Sequence, residues 1–96
     1  MKIYISGAIT GTDDYMERFA KVENELIKKG YSVVNPAKVN AQLPKDTTHE
    51  EYMKVSLCML DMCDSIYMLK GWEHSLGANE EFLHTVKTKK IIMYEG

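Results

Sequence analysis

Lys2-Ile3-Tyr4-Ile5-Ser6-Gly7 near the start of the chain and Ser65-Ile66-Tyr67-Met68-Leu69 far downstream decide the fold. Both are short, β-branched and aromatic runs, with little of the apolar-polar alternation of a strand that faces water on one side. Such runs fit strands covered on both faces, as in a parallel sheet. After Thr12-Asp13-Asp14, apolar side chains recur at Tyr15, Phe19, Val22, Leu26 and Ile27. That spacing predicts an amphipathic helix, ended by Gly30. Tyr31 to Val34 reads as a second strand closed by Asn35-Pro36, and Asn35 to His49 as a loop. The second half predicts a helix from about His49 to Met62, the strand Ser65 to Leu69, a helix from about Ser75 to Lys87 and a strand Lys90 to Tyr94. Four strands alternating with three helices imply right-handed crossovers. The expectation is a single α/β domain over residues 1–96, a three-layer Rossmann-like or flavodoxin-like fold with a four-stranded parallel sheet in the order 2-1-3-4. In open sheets of this kind ligands sit beyond the carboxyl ends of the strands. Here those ends are Gly7 to Thr12 and Lys70 to Ser75.

Composition narrows the partners. The 96 residues are 45% apolar and 27% charged, the balance of an ordinary globule, and a chain this short hides only part of its surface, so a homodimer or larger assembly is expected. Twelve basic residues against fourteen acidic ones leave no basic excess for a duplex nucleic acid. No apolar run reaches the ~18 residues of a membrane span, and Met1 to Gly11 lacks the pattern of a signal peptide. A cytoplasmic protein is expected, with Cys58 and Cys63 as buried thiols, since their spacing within a helix suits neither a disulfide nor a zinc site. The helix from His49 carries two apolar stripes. Met53, Leu57 and Leu60 form one; Tyr52, Val55, Met59 and Met62 form the other, either as a broader core face or as a dimer contact.

Two loops can carry chemistry. Ser6 to Thr12 joins a strand to a helix, where amide groups and hydroxyls can hold an anion, although a tight turn that merely needs glycine explains the same residues. It is neither a dinucleotide fingerprint nor a P-loop. The loop Gly71 to Ala78 leads into the helix that bears Glu80 and Glu81. At 100° per residue Glu81 shares a face with Gly77, Ala78 and Thr85, and helical side chains lean toward the N-terminus. The Glu81 carboxylate is therefore expected over small residues that leave room for a ligand, where it could act as nucleophile or base. The bland alternative is a Glu81 that packs on a neighbour or faces solvent. His49, His74 and His84 are dispersed, so neither a metal nor any other cofactor is expected. Trp72 could stack on a base or pack as a lid; Asp64 reads as structural, and the run Lys87 to Lys90 as a solvated helix end that compensates the dipole.

Taken together, Tyr4-Ile5-Ser6-Gly7, Ile9-Thr10-Gly11, Val34-Asn35-Pro36, Tyr52-Met53, Cys63-Asp64, Gly71-Trp72-Glu73, Ser75, Gly77-Ala78 and Glu81 resemble the small nucleoside 2-deoxyribosyltransferase-like proteins, common in phages and prophages. More distantly the chain resembles the 2'-deoxynucleoside 5'-phosphate N-hydrolases through Ser75, Gly77 and Glu81. The resemblance implies attack of Glu81 on C1' of a deoxyribosyl group, and a covalent intermediate resolved by another base or by water. It assigns Gly7, Ala8, Ile9, Thr10, Gly11 and Ser75 to substrate binding, with Tyr4 lining the pocket; Ser56 and Gly77 are counted among the binding residues, and Trp72 is the expected base platform. Two departures stand out. An aspartate expected eight residues before Asp64 is Ser56 here, which cannot serve as a general acid near neutrality. The hydrolases also have a fifth strand and a partner-subunit serine with no counterpart in this sequence. The competing expectations are a glycosidic-bond enzyme, a non-catalytic module that senses or sequesters a nucleotide or an ADP-ribose-like signal, and an oligomeric interaction protein with a vestigial pocket.

Overall fold

A computed structural model describes residues 1–9 and 13–96. Its elements are β1 (Lys2–Ser6), α1 (Tyr15–Lys28), β2 (Ser32–Val34), α2 (Pro36–Asn40), α3 (His49–Asp61), β3 (Ser65–Met68), a single 3-10 turn (Trp72–His74), α4 (Leu76–Thr88) and β4 (Ile91–Tyr94). The four strands form one parallel sheet in the order β2-β1-β3-β4, with Tyr4 beside both Val34 and Ile66. The predicted α/β architecture and strand order are therefore those of the protein. Element ends fall within a residue or so of the expected ones, the usual latitude of frayed termini.

Strand periodicity sorts the core into two layers. Ile3 and Ile5 point one way and pack with Phe19, Val22 and Leu26 of α1. Tyr4 points the other way and joins Leu60 of α3, Ile66 and Met68 of β3 and Ala78 of α4. Helices α3 and α4 thus share one face of the sheet while α1 covers the other, as right-handed crossovers require for this strand order. Each helix has an identifiable start. Thr48 and Glu51 form a reciprocal capping box on α3, and the Ser75 hydroxyl accepts from the Ala78 amide at the head of α4.

Three expectations need correction. The stretch after Asn35 is not all loop: Asn35 caps α2 by accepting from the Ala37 amide, with Pro36 in the first helical position. Cys63 is buried but Cys58 is exposed, because it falls on the side of α3 turned away from the sheet. The second stripe of α3 is not one surface. Met59 packs against the core cluster around Tyr4 and Leu60, whereas Met62 at the helix end is 62% exposed.

Gly7 shows how tightly the carboxyl end of β1 is built. A Cβ on Gly7 would lie 2.9 Å from both Cβ and Cδ1 of Leu69, which itself donates its amide to the Ser6 carbonyl at 2.8 Å. The glycine is needed for this close approach whatever else the loop does. We expect Gly7→Ala to cost about 1–3 kcal/mol of stability, the usual range for overpacking. A depressed thermal midpoint in a calorimetric scan would show it; an unchanged midpoint would mean that the loop relaxes freely.

Candidate functional site

The site begins with the period of two in β1. Tyr4 and Ser6 occupy alternate positions, so both face α3 and α4. Opposite them, one face of α4 presents Ala78, Glu81 and Thr85, all buried. The two elements meet at Glu81. Its Oε1 accepts from the Ser6 hydroxyl at 2.6 Å and its Oε2 accepts a short hydrogen bond from the Tyr4 hydroxyl. Ser56 of α3 is buried beside Tyr4 and lines the same cleft, so four buried side chains from three elements meet here.

Glu81 is only 6% exposed, yet it lines a cleft of about 390 Å³ at the carboxyl edge of the sheet. That volume is in the range of small-molecule sites. Around the carboxylate the cleft is bounded by the end of β1, by α2 and by the N-terminal turns of α3 and α4. The wall formed by α2 is fixed from behind. Glu23 of α1 accepts from the Asn35 amide at 3.1 Å and pairs with Lys38 at 2.8 Å. Burial opposes ionisation of Glu23, but the hydrogen bonds from Lys38 and Asn35 and the Lys38 charge prevail and hold its carboxyl below the ordinary value. On the opposite wall Gly77 leaves room for its neighbours. A Cβ there would lie 3.5 Å from Met53 Sδ and 3.8 Å from His49 Cε1.

Removal from water dominates the electrostatics. Burial pushes the Glu81 carboxyl up to about 7; the Ser6 and Tyr4 hydroxyls pull it back, and the neighbouring Glu80 charge adds to the rise. The same burial, reinforced by Glu81, pushes the Tyr4 phenol well above 10, so near neutrality it remains a donor. A carboxylate whose charge is supported by two hydroxyls beside an open cleft can attack an electrophilic carbon or accept a proton. Among the described residues Asn40 Oδ1 is a buried side-chain oxygen on the cleft-lining α2 with no hydrogen-bond partner. A ligand N–H can satisfy such an acceptor.

Of the residues anticipated from sequence, Tyr4, Gly7, Ile9, Ser56, Ser75, Gly77 and Glu81 line this one cleft. Thr10 and Gly11 lie outside the described residues. Ala8 is half-buried but is not on the cleft wall. Trp72 is also elsewhere: its ring stacks on Phe82 at 4.7 Å and packs on the core cluster beneath α4, so it acts as a cover for the core and not as a platform in the cleft. Asp64 accepts from the Lys2 amide at 2.9 Å, in keeping with a structural role. Lys90, read as solvated, instead donates to the Cys63 carbonyl at 2.7 Å. The sequence reading missed Ser6 as a partner of Glu81, although strand alternation places it with Tyr4. It also missed Asn40, Lys45, His49 and Tyr52 on the cleft wall. The Asn35-Pro36 helix start was the available signal for Asn40. His49 and Tyr52 share one helical face with Met53 and Ser56.

The family model described as Domain of unknown function (DUF4406) matches residues 1–94, and the chain belongs to that family. No curated protein matches it.

The raised Glu81 value has a consequence for stability. The folded protein holds this proton more tightly than the unfolded chain, whose value is 4.5. The contribution is complete below about 4.5 and is lost as pH rises through about 7, up to about 3 kcal/mol on the alkaline side. Glu81→Gln has no such proton to lose. Thermal unfolding at pH 8.5 is expected to favour the variant by on the order of 10 °C, a gap that shrinks toward pH 5. A gap independent of pH would contradict the raised value.

Proposed function

We propose that this member of the DUF4406 family binds a deoxynucleoside or its 5'-monophosphate in the cleft and cleaves or transfers at the N-glycosidic bond through Glu81. The observation that carries this reading is the buried Glu81 carboxylate, clamped by Tyr4 and Ser6 on one side and bordering a nucleoside-sized cleft on the other. Attack of a Glu81 oxygen on C1' forms a carbon–oxygen bond as the carbon–nitrogen bond breaks, and the electron pair leaves with the base. Water or a second base then displaces the carboxylate. Two carboxylate oxygens held by different donors fit this role: one hydroxyl can stay bonded while the other oxygen turns to the sugar. The resemblance to deoxyribosyltransferase-like proteins supports the same assignment, and the unpartnered Asn40 oxygen fits a ligand rich in N–H groups.

A second reading, a module that holds a nucleotide or ADP-ribose-like signal without cleaving it, is favoured by Ser56. It is 3% exposed and on the cleft wall, so this part of the site contains a hydroxyl and no second carboxyl. Chromatography of mixtures with deoxynucleosides and their monophosphates separates the two. The enzyme reading predicts free base with the native protein and none with Glu81→Ala. Calorimetric binding without release would favour the module. Since the nucleophile must be ionised, the acid limb of kcat/KM should rise as pH approaches about 7, the value to which burial lifts Glu81. A rate flat from pH 5 to 8 would remove Glu81 from the reaction.

A further inference from the structure

Departure of a base from C1' leaves electron density on a ring nitrogen, and a proton delivered there typically accelerates such a step ~10²- to 10⁴-fold. The cleft offers few donors. Glu81 must be ionised to attack, Ser56 is a hydroxyl, and the cleft's other donors include phenols and an ammonium, side-chain types poorly matched to proton transfer near neutrality. Histidine is the side-chain type that gains and loses a proton in the neutral range. His49 is the histidine on this cleft wall.

Its placement is specific. His49 is the first residue of α3, held there by the capping box at Thr48. One helical turn on is Met53 and a further turn is Ser56, so all three point into the cleft from one face. The imidazole lies beside Gly77, the residue one turn before Glu81 on α4, with His49 Cε1 3.8 Å from where a Cβ on that glycine would sit. Its Nε2 is 3.5 Å from Oε1 of Glu80, the neighbour of Glu81 in sequence, which turns toward α3 while Glu81 turns toward β1. An imidazolium held through Nε2 by a carboxylate keeps its Nδ1–H for another acceptor.

We infer that His49, positioned by Glu80, is the proton donor to the departing base. The inference rests on the proposed role of Glu81 and adds the second half of the reaction. As Glu81 bonds to C1' and the carbon–nitrogen bond breaks, the proton passes from His49 Nδ1 to the base, leaving a neutral imidazole and a neutral base. In the second step a water attacks C1', its proton returns to His49, and the Glu81 carboxylate is released, so both groups end as they began. Glu80 touches no reacting atom and is a positioning residue.

Leaving-group dependence tests this. Base release is compared for 2'-deoxyguanosine and for 7-methyl-2'-deoxyguanosine, whose cationic base departs without an added proton. His49→Ala and His49→Gln should each lower the single-turnover rate of base release, which reports bond cleavage alone, at least ~100-fold for the first substrate and change the second less than about threefold. Glu80→Gln should show the same selectivity with a smaller loss, whereas Glu81→Ala should abolish release from both. Equal losses on the two substrates, or no loss, would overturn the assignment to His49 while leaving Glu81 in place. Release from neither substrate by the native protein would remove both assignments.

Discussion

A carboxylate kept out of water between a strand and a helix is the constraint around which this small fold is organised. Glu81 accepts from Tyr4 and Ser6, and Ser56 is buried beside them. Each of these groups is buried, so removing one donor leaves a carboxylate oxygen short of its protein partner. A fully apolar core would be the simpler structural solution, since buried charge is costly and yields little net stability. Retaining an ionisable group here makes physical sense when its reactivity is used.

The scaffold serves that group at several distances. β1 supplies both donors because alternate residues face the same way, and Gly7 lets the strand end against Leu69 without displacing Ser6. α4 brings the carboxylate through a face of Ala78, Glu81 and Thr85, with Gly77 on the cleft wall one turn earlier. Glu23 holds α2 in place through Asn35 and Lys38 and so fixes the far wall. The catalytic reading and the fold thus draw on the same contacts. The least protected part of the arrangement is the proton on Glu81: burial favours it, the hydroxyls oppose it, and the balance near neutrality permits the ionised form a nucleophile needs.

Much of this was legible in the sequence because it depends on period. The apolar runs at Ile3 to Ile5 and Ile66 to Leu69 gave the buried strands, and the spacing of Phe19, Val22 and Leu26 gave the helix across them. That Glu81 shares a buried face with Ala78 and Thr85 followed from helical geometry alone, whereas its contacts with Tyr4 and Ser6 did not. What the sequence hid depends on contacts between distant elements. No spacing rule sends the Trp72 ring to Phe82 rather than to the cleft, since a loop aromatic has no periodic face. Asn35-Pro36 carried a helix-start signal, yet α2 is too short for its apolar pattern to show. Likewise Glu80 and His49 are 31 positions apart, and only the packing of α4 beside α3 brings them together.

The most direct examination of the account is chemical. A deoxyribosyl analogue fluorinated at C2' slows release of a glycosyl–enzyme more than it slows expulsion of a good leaving group, so an intermediate should accumulate. Incubation of the protein with such a nucleoside, followed by intact and peptide mass spectrometry, is predicted to show one fluorosugar per chain attached to the peptide that contains Glu81. An adduct on another residue, or an unmodified protein after release of the base, would contradict attack by the buried carboxylate.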